Sequence, residues 1–236
     1  MVVDVSVDAL RRPRAPRGSG DRLRDEILDA ATGLLLETGH ARAVSIRSLA
    51  QRVGVTPPSI YLHFADKDAL LDAVCARYLE NLGQEMQRVA GEHSSAVEVL
   101  RAQGLAYVRF ATGTPELYRI ATMGEWRSGN TIDLALETAA FKHIRDTVQA
   151  LMDDGVYQPG DPTTVALELW AAAHGVAAML IAKPHLPFGD AEAFADRVLS
   201  SAFCGRVVTG LAGPDATPKQ WADWVTTHRA AEEFRV

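Results

Sequence analysis

Apolar residues recur at every third and fourth position along almost the whole chain, and β-branched runs of strict alternation are missing. That period predicts helices and no strands. The first helix is expected over about 21–38, with Ile27, Ala31, Leu34 and Leu35 on one face and Gly39 as its stop. A second is expected over 46–53, with Ser45 as N-cap and Gly54 as terminator, and a third from Thr56-Pro57-Pro58. A fourth begins after Asp66 and carries Leu70, Leu71, Val74 and Tyr78. Longer helices are expected over about 95–112, after Thr114-Pro115, and over 131–153, 162–182 and 190–211. The last starts at Thr217-Pro218-Lys219-Gln220, which has the form of a capping box with proline at the first helical position. Glycine- and proline-containing breaks separate these segments, and no repeat or low-complexity linker interrupts them.

The stretch SIRSLAQRVGVTPPSIYLHF, residues 45–64, carries the sharpest signal. Two short helices meet at a turn containing Gly54, with Leu49, Ala50, Val53, Val55 and Ile60 available to fix their crossing. This is the layout of a helix-turn-helix. The tandem prolines fit a helix start, because the first backbone N–H groups of a helix have no partner within it. In a recognition helix the N-terminal residues meet base edges. Pro57 or Pro58 suits a thymine methyl, and Ser59 suits a base edge or a phosphate. Tyr61, His63 and Lys67 are candidate phosphate donors, which position the protein without reading sequence.

Charge sharpens this picture. The chain has 236 residues and a net charge of −6. The first 77 residues hold eleven Lys and Arg against ten Asp and Glu, so the acidity lies in the remainder. Arg11, Arg12, Arg14, Arg17, Arg22 and Arg24 face Asp21 alone, which predicts a flexible arginine-rich arm over 1–20 with a local affinity for polyanions. Cys75 and Cys204 stand apart from any C-x-x-C pair and are expected as buried, reduced thiols. The seven histidines lack metal spacing, and no metal or cofactor is expected. No nucleophile elbow, P-loop, zinc-protease or dinucleotide motif is present, which argues against an enzyme. The apolar segment 165–182 contains Glu168 and His174 and is rich in alanine, so a buried helix is expected rather than a membrane span. The N-terminal apolar residues precede the arginines, the reverse of a secretory leader, and a cytoplasmic location is expected.

Residues 21–75 resemble the TetR family of bacterial regulators. The resemblance rests on ILDAA (27–31), GHARAVSIRSLA (39–50), VGVTPPSIYLHF (53–64) and DKDALL (66–71). It implies an all-α fold: an N-terminal three-helix DNA-binding domain followed by a larger helical domain that binds ligand and dimerises. The expected organisation is an arm at 1–20, the helix-turn-helix domain at 21–66, the effector and dimerisation domain at 67–212, and an extra helix at 213–236. Family DNA contacts map onto Ser45, Arg47, Thr56, Pro57, Pro58, Ser59, Tyr61, His63 and Lys67, the tandem proline being a modest departure from the family pattern. TPELYR (114–119), PGDP (159–162) and LWAAAHG (169–175) resemble the subclass with a Trp-His-Gly signature, here Trp170, His174 and Gly175.

A cavity in the rear domain would be walled by the middle helices. Tyr107, Phe110, Tyr118, Met123, Trp126, Phe141, Met152 and Trp170 are the large candidates, with His174 one turn beyond Trp170. Alanine and glycine around Trp170 permit close helix approach and suit a seam between subunits. In the family the last two core helices form that seam, here the helices near 162–182 and 190–211. The expected protein is a homodimeric repressor, released from a near-palindromic duplex operator by a small apolar effector. The competing expectation is a protein-interaction adaptor whose helix-turn-helix no longer binds DNA.

Overall fold

A computed structural model describes residues 20–123, 137–213 and 216–232, and among these every regular element is helical. The arginine-rich arm up to residue 19 and Trp126 lie outside the described residues, as do residues 131–136 of the helix expected over 131–153. The order is α1 (Gly20–Thr38), a 3-10 turn (Ala41–Ala43), α2 (Ile46–Val53), α3 (Pro57–Tyr61), α4 (Lys67–Ala90), α5 (Ala96–Gly113), α6 (Pro115–Met123), α7 (Ala139–Asp153), α8 (Pro162–Ala182), α9 (Ala191–Ala212) and α10 (Pro218–Glu232). The chain divides into two compact units: residues up to Asn81 with Thr114–Gly129, and Leu82–Gly113 with the residues from Asn130 onward. The division falls inside α4, and it assigns α6 to the first unit.

The first unit is built on α1, which packs against α2 and α6. Ile27, Leu28, Ala31 and Leu35 are buried along α1, and Leu49, Ile60, Phe64, Leu70, Val74 and Tyr118 are buried in the same unit. Burial of such a set is the main stabilising term. Around it the polar links are peripheral. Arg77 pairs with Asp29 at 2.8 Å and donates to Thr32 at 3.1 Å. Arg52 grips both carboxylate oxygens of Glu37, which lowers the Glu37 pKa through those hydrogen bonds.

In the second unit α8 packs against α5, α7 and α9, and α5 also touches α7 and α9. Their starts are fixed by side-chain caps. Thr138 accepts from Phe141 N at 3.2 Å, Asp161 from Thr163 N and Thr164 N at 3.0 and 3.1 Å, and Asp190 from Ala193 N at 2.8 Å. Each satisfies backbone donors that the helix leaves open. Gln103 and Thr147 form a buried polar bridge between α5 and α7, the Thr147 hydroxyl lying 3.1 Å from Gln103 Oε1. α8 is long and apolar enough to cross a membrane by length and composition, yet 33% of its apolar window is buried.

Two details correct the sequence reading. Cys75 is buried as expected, but Cys204 is exposed, because α9 buries only Ala195 completely. Thr56 occupies the N-cap of α3 without accepting a backbone hydrogen bond; its hydroxyl lies 3.0 Å from the Ser59 hydroxyl instead.

Candidate nucleic-acid interface and effector cavity

α2 starts on a reciprocal cap. Ser45 Oγ accepts from Ser48 N at 3.0 Å, while Ser48 Oγ accepts from Ser45 N at 3.1 Å. It ends at Gly54, whose φ of 76° lies in the left-handed region that a side chain disfavours. Val55 N then donates to Ala50 O at 2.9 Å, closing the turn. Pro57 and Pro58 open α3, whose one fully buried side chain is Ile60. Pinning a five-residue helix by Ile60 and by Phe64 just beyond it leaves the rest of α3 outward.

The nine DNA-facing candidates are all accessible. Ser45, Arg47, Thr56, Pro57, Pro58 and Tyr61 are exposed, while Ser59, His63 and Lys67 are half-buried. Ser45 and Arg47 open α2, Thr56 to Tyr61 form α3 and its cap, and Lys67 opens α4. Asp66 caps α4 by accepting from Ala69 N at 2.7 Å. Arg47 and Lys67 form no ion pair among the described residues, so their charges are available to a phosphate. One residue escaped the sequence reading. Leu62 is 85% exposed at the end of α3, and no signal in the sequence pointed to this.

The second unit contains a cavity of about 150 Å³ among α5, α7, α8 and α9. Its walls include Leu100, Gly104, Tyr107, Ile144, Leu169, Ala173, Leu199 and Phe203, with Arg101, Ser200 and Cys204 as further wall residues. Among the described residues Tyr107 is the one sequence candidate that lines it. Trp170 and His174 instead stand behind Tyr107. Trp170 Nε1 donates to Tyr107 Oη at 3.2 Å, and Tyr107 Oη lies 3.3 Å from His174 Nδ1. Burial lowers the His174 pKa, which favours the neutral ring. Phe141 sits edge-on to Trp170 at 6.3 Å, and the Trp170 and His174 rings are 5.9 Å apart. Phe110 is half-buried on α5. Tyr118 and Met123 belong to α6 in the first unit, where Tyr118 is fully buried.

Residues 27–74 match the profile described as bacterial regulatory proteins, tetR family, and residues 100–202 match a tetracyclin repressor-like C-terminal domain. The chain belongs to the TetR family. Membership places it among non-enzymatic regulators with an N-terminal helix-turn-helix and a helical C-terminal domain. The tetracycline repressor protein class D of Escherichia coli is 39% identical over 69 residues, 29% of this chain and 31% of that protein. The HTH-type transcriptional activator FasR of Mycolicibacterium smegmatis is 29% identical over 115 residues, 47% of this chain and 52% of that protein. The TetR-family chain thus spans about a third to a half of the length of these curated relatives. Among solved structures, a Rhodococcus sp. RHA1 protein of unknown function superimposes with a TM-score of 0.70 at 26% identity, covering 84% of this chain and all of that one. FadR from Bacillus subtilis in complex with stearoyl-CoA has a TM-score of 0.65 at 17% identity, covering 77% of this chain and 98% of that one. At that identity the likeness is one of fold.

Proposed function

We propose that this TetR-family chain is a ligand-responsive, sequence-specific DNA-binding transcriptional regulator acting in the cytoplasm, and that it represses from a near-palindromic operator. The observation that carries the reading is the α2–Gly54–α3 unit: α2 capped by Ser45 and closed at Gly54, α3 pinned by Ile60, with Thr56, Pro57, Pro58 and Tyr61 exposed. α3 enters a major groove, where Pro57, Pro58, Ser59 and Leu62 reach base edges and thymine methyls. Ser45, Arg47, Tyr61, His63 and Lys67 hold phosphates, and Thr56 orients Ser59 through their shared hydrogen bond.

The protein works as a homodimer through α8 and α9. Leu167, Ala171, Gly175 and Met179 recur every four residues on α8 and are all exposed in the single chain. Arg197, Ser201 and Gly205 are similarly exposed on α9. A stripe of small residues lets ridges of two helices approach closely. Two heads then meet half-sites about one DNA turn, ~34 Å, or a small multiple apart. A small apolar effector in the second unit favours a different separation of the heads, with α4, which contributes residues to both units, as the connecting element. The coupling required is of order 1–3 kcal/mol.

Fluorescence anisotropy of the full chain with duplexes tiling the DNA upstream of its own gene tests this. Saturable, competitor-resistant binding to one near-palindromic duplex is expected. Weak, salt-erased binding to every duplex in the tiling would sink it.

A further inference from the structure

We infer that the effector is a small uncharged aromatic-sized molecule, seated among α5, α7, α8 and α9, and not a long-chain acyl thioester or fatty acid. This rests on the reading of the protein as a ligand-responsive regulator and narrows the ligand class.

Size is the first argument. Apolar cavities of about 150 Å³ stay dry and admit a molecule the size of benzene, and this cavity has that volume. A stearoyl chain occupies several times as much space. Leu100, Ile144, Leu169, Leu199 and Phe203 surround the space, with Ala173 the small side chain among them. Gly104 lies against Leu199, whose Cδ1 would be 3.0 Å from a Cβ there, so these two close that side.

Polarity is the second argument. A carboxylate or a coenzyme phosphate needs a cation or free donors at the site. Among the described residues Arg101 is the one charged lining residue, and both carboxylate oxygens of Asp196 hold it, at 2.6 and 2.8 Å. Tyr107 Oη accepts from Trp170 Nε1 and is hydrogen-bonded to His174 Nδ1, so its polar atom already has protein partners. What remains is apolar wall, with the Ser200 hydroxyl and the Cys204 thiol as weakly polar neighbours. Such a wall favours a neutral ring and charges a full desolvation penalty to an anion.

Calorimetry makes the test direct. The full-length wild-type protein is titrated with toluene, indole, dodecanoate or dodecanoyl-CoA, and operator anisotropy is recorded in parallel. Saturable heat with a negative heat-capacity change is expected with toluene or indole, and none with dodecanoate or dodecanoyl-CoA. In Ala173→Leu, whose longer side chain takes up part of the cavity, the aromatic heat should be lost with helical circular dichroism unchanged. Heat from the acyl compounds instead, from none of the four, or undiminished in Ala173→Leu, overturns the inference. Aromatic binding with operator binding unchanged leaves the ligand class standing and defeats the release mechanism.

Discussion

At the scale of single residues, two positions hold opposite forces that can be weighed. Gly83 lies inside α4, where alanine would be favoured by about 1 kcal/mol on helix propensity. A Cβ there would lie 2.7 Å from Ala139 Cβ and 3.0 Å from the Ala140 backbone nitrogen at the start of α7. Backbone cannot yield cheaply, and overpacking costs about 1–3 kcal/mol. We expect Gly83→Ala to lose about 1 kcal/mol net in urea unfolding; a gain would mean that α4 and α7 do not approach as described. His174 is the second position. Burial lowers its pKa from 6.5, so the unfolded chain takes up a proton before the folded one does. Its contribution to stability is therefore complete above about pH 6.5 and is lost as pH falls through the lowered folded value. The carboxylates lowered by their partners, such as Asp196 beside Arg101, start from 3.8 and titrate in a more acidic window. Thermal melts between about pH 7.5 and pH 5 should fall less steeply in His174→Gln than in the wild type. Parallel slopes would remove His174 from the account.

At the scale of elements, the helix-turn-helix gives the clearest handle. Lys67→Ala removes one phosphate charge without touching α3, so affinity should fall about equally for all sequences and the slope of log K against log salt should shrink by about 1. An unchanged slope with lost affinity would mean that Lys67 acts structurally. Gly54→Val would force a branched side chain to φ 76°, and the turn itself should fail, at a cost of about 1–2 kcal/mol. This region was legible in the sequence because its determinants are local: Ser45 caps its own helix, Gly54 turns its own chain, and the prolines start α3 within two residues. The rear unit was legible only as helices. Bounds such as 162–182 match α8, since Asp161 and Pro162 announce its start. The cavity was not legible, because a period reveals which face is apolar but not whether neighbours fill the space before it. Large aromatic residues stand out in the sequence, whereas the walls are mostly aliphatic residues such as Leu100, Ile144 and Leu169. The pairing of Arg101 with Asp196, 95 positions apart, carries no local signature at all.

At the scale of the whole molecule, the decisive quantity is apolar surface left over after the chain has folded. α8 buries Val165, Ala166, Ala173, Val176 and Ala177, yet leaves Leu167 39% and Met179 45% exposed. α9 buries Ala195 alone while carrying Val198, Leu199, Phe203, Val207 and Leu211. A helix apolar on both sides needs a second surface to cover it. In the proposed homodimer a second copy would do so with matching stripes, because a two-fold axis brings the same positions together. Met179→Arg tests this cleanly, since the single chain exposes that position and tolerates a charge there. In a symmetric seam, two unpaired guanidinium groups would lose water together. We expect the dimer dissociation constant from sedimentation to rise by at least about 2 kcal/mol, roughly thirtyfold, with helical circular dichroism unchanged. Operator affinity should fall with it, because each head would bind its half-site without the effective concentration that the linked partner provides. A single half-site should be bound as before. If the variant stays dimeric and holds the operator unchanged, the seam lies on another face. The exposed stripe of α8 would then have to be explained by a different partner.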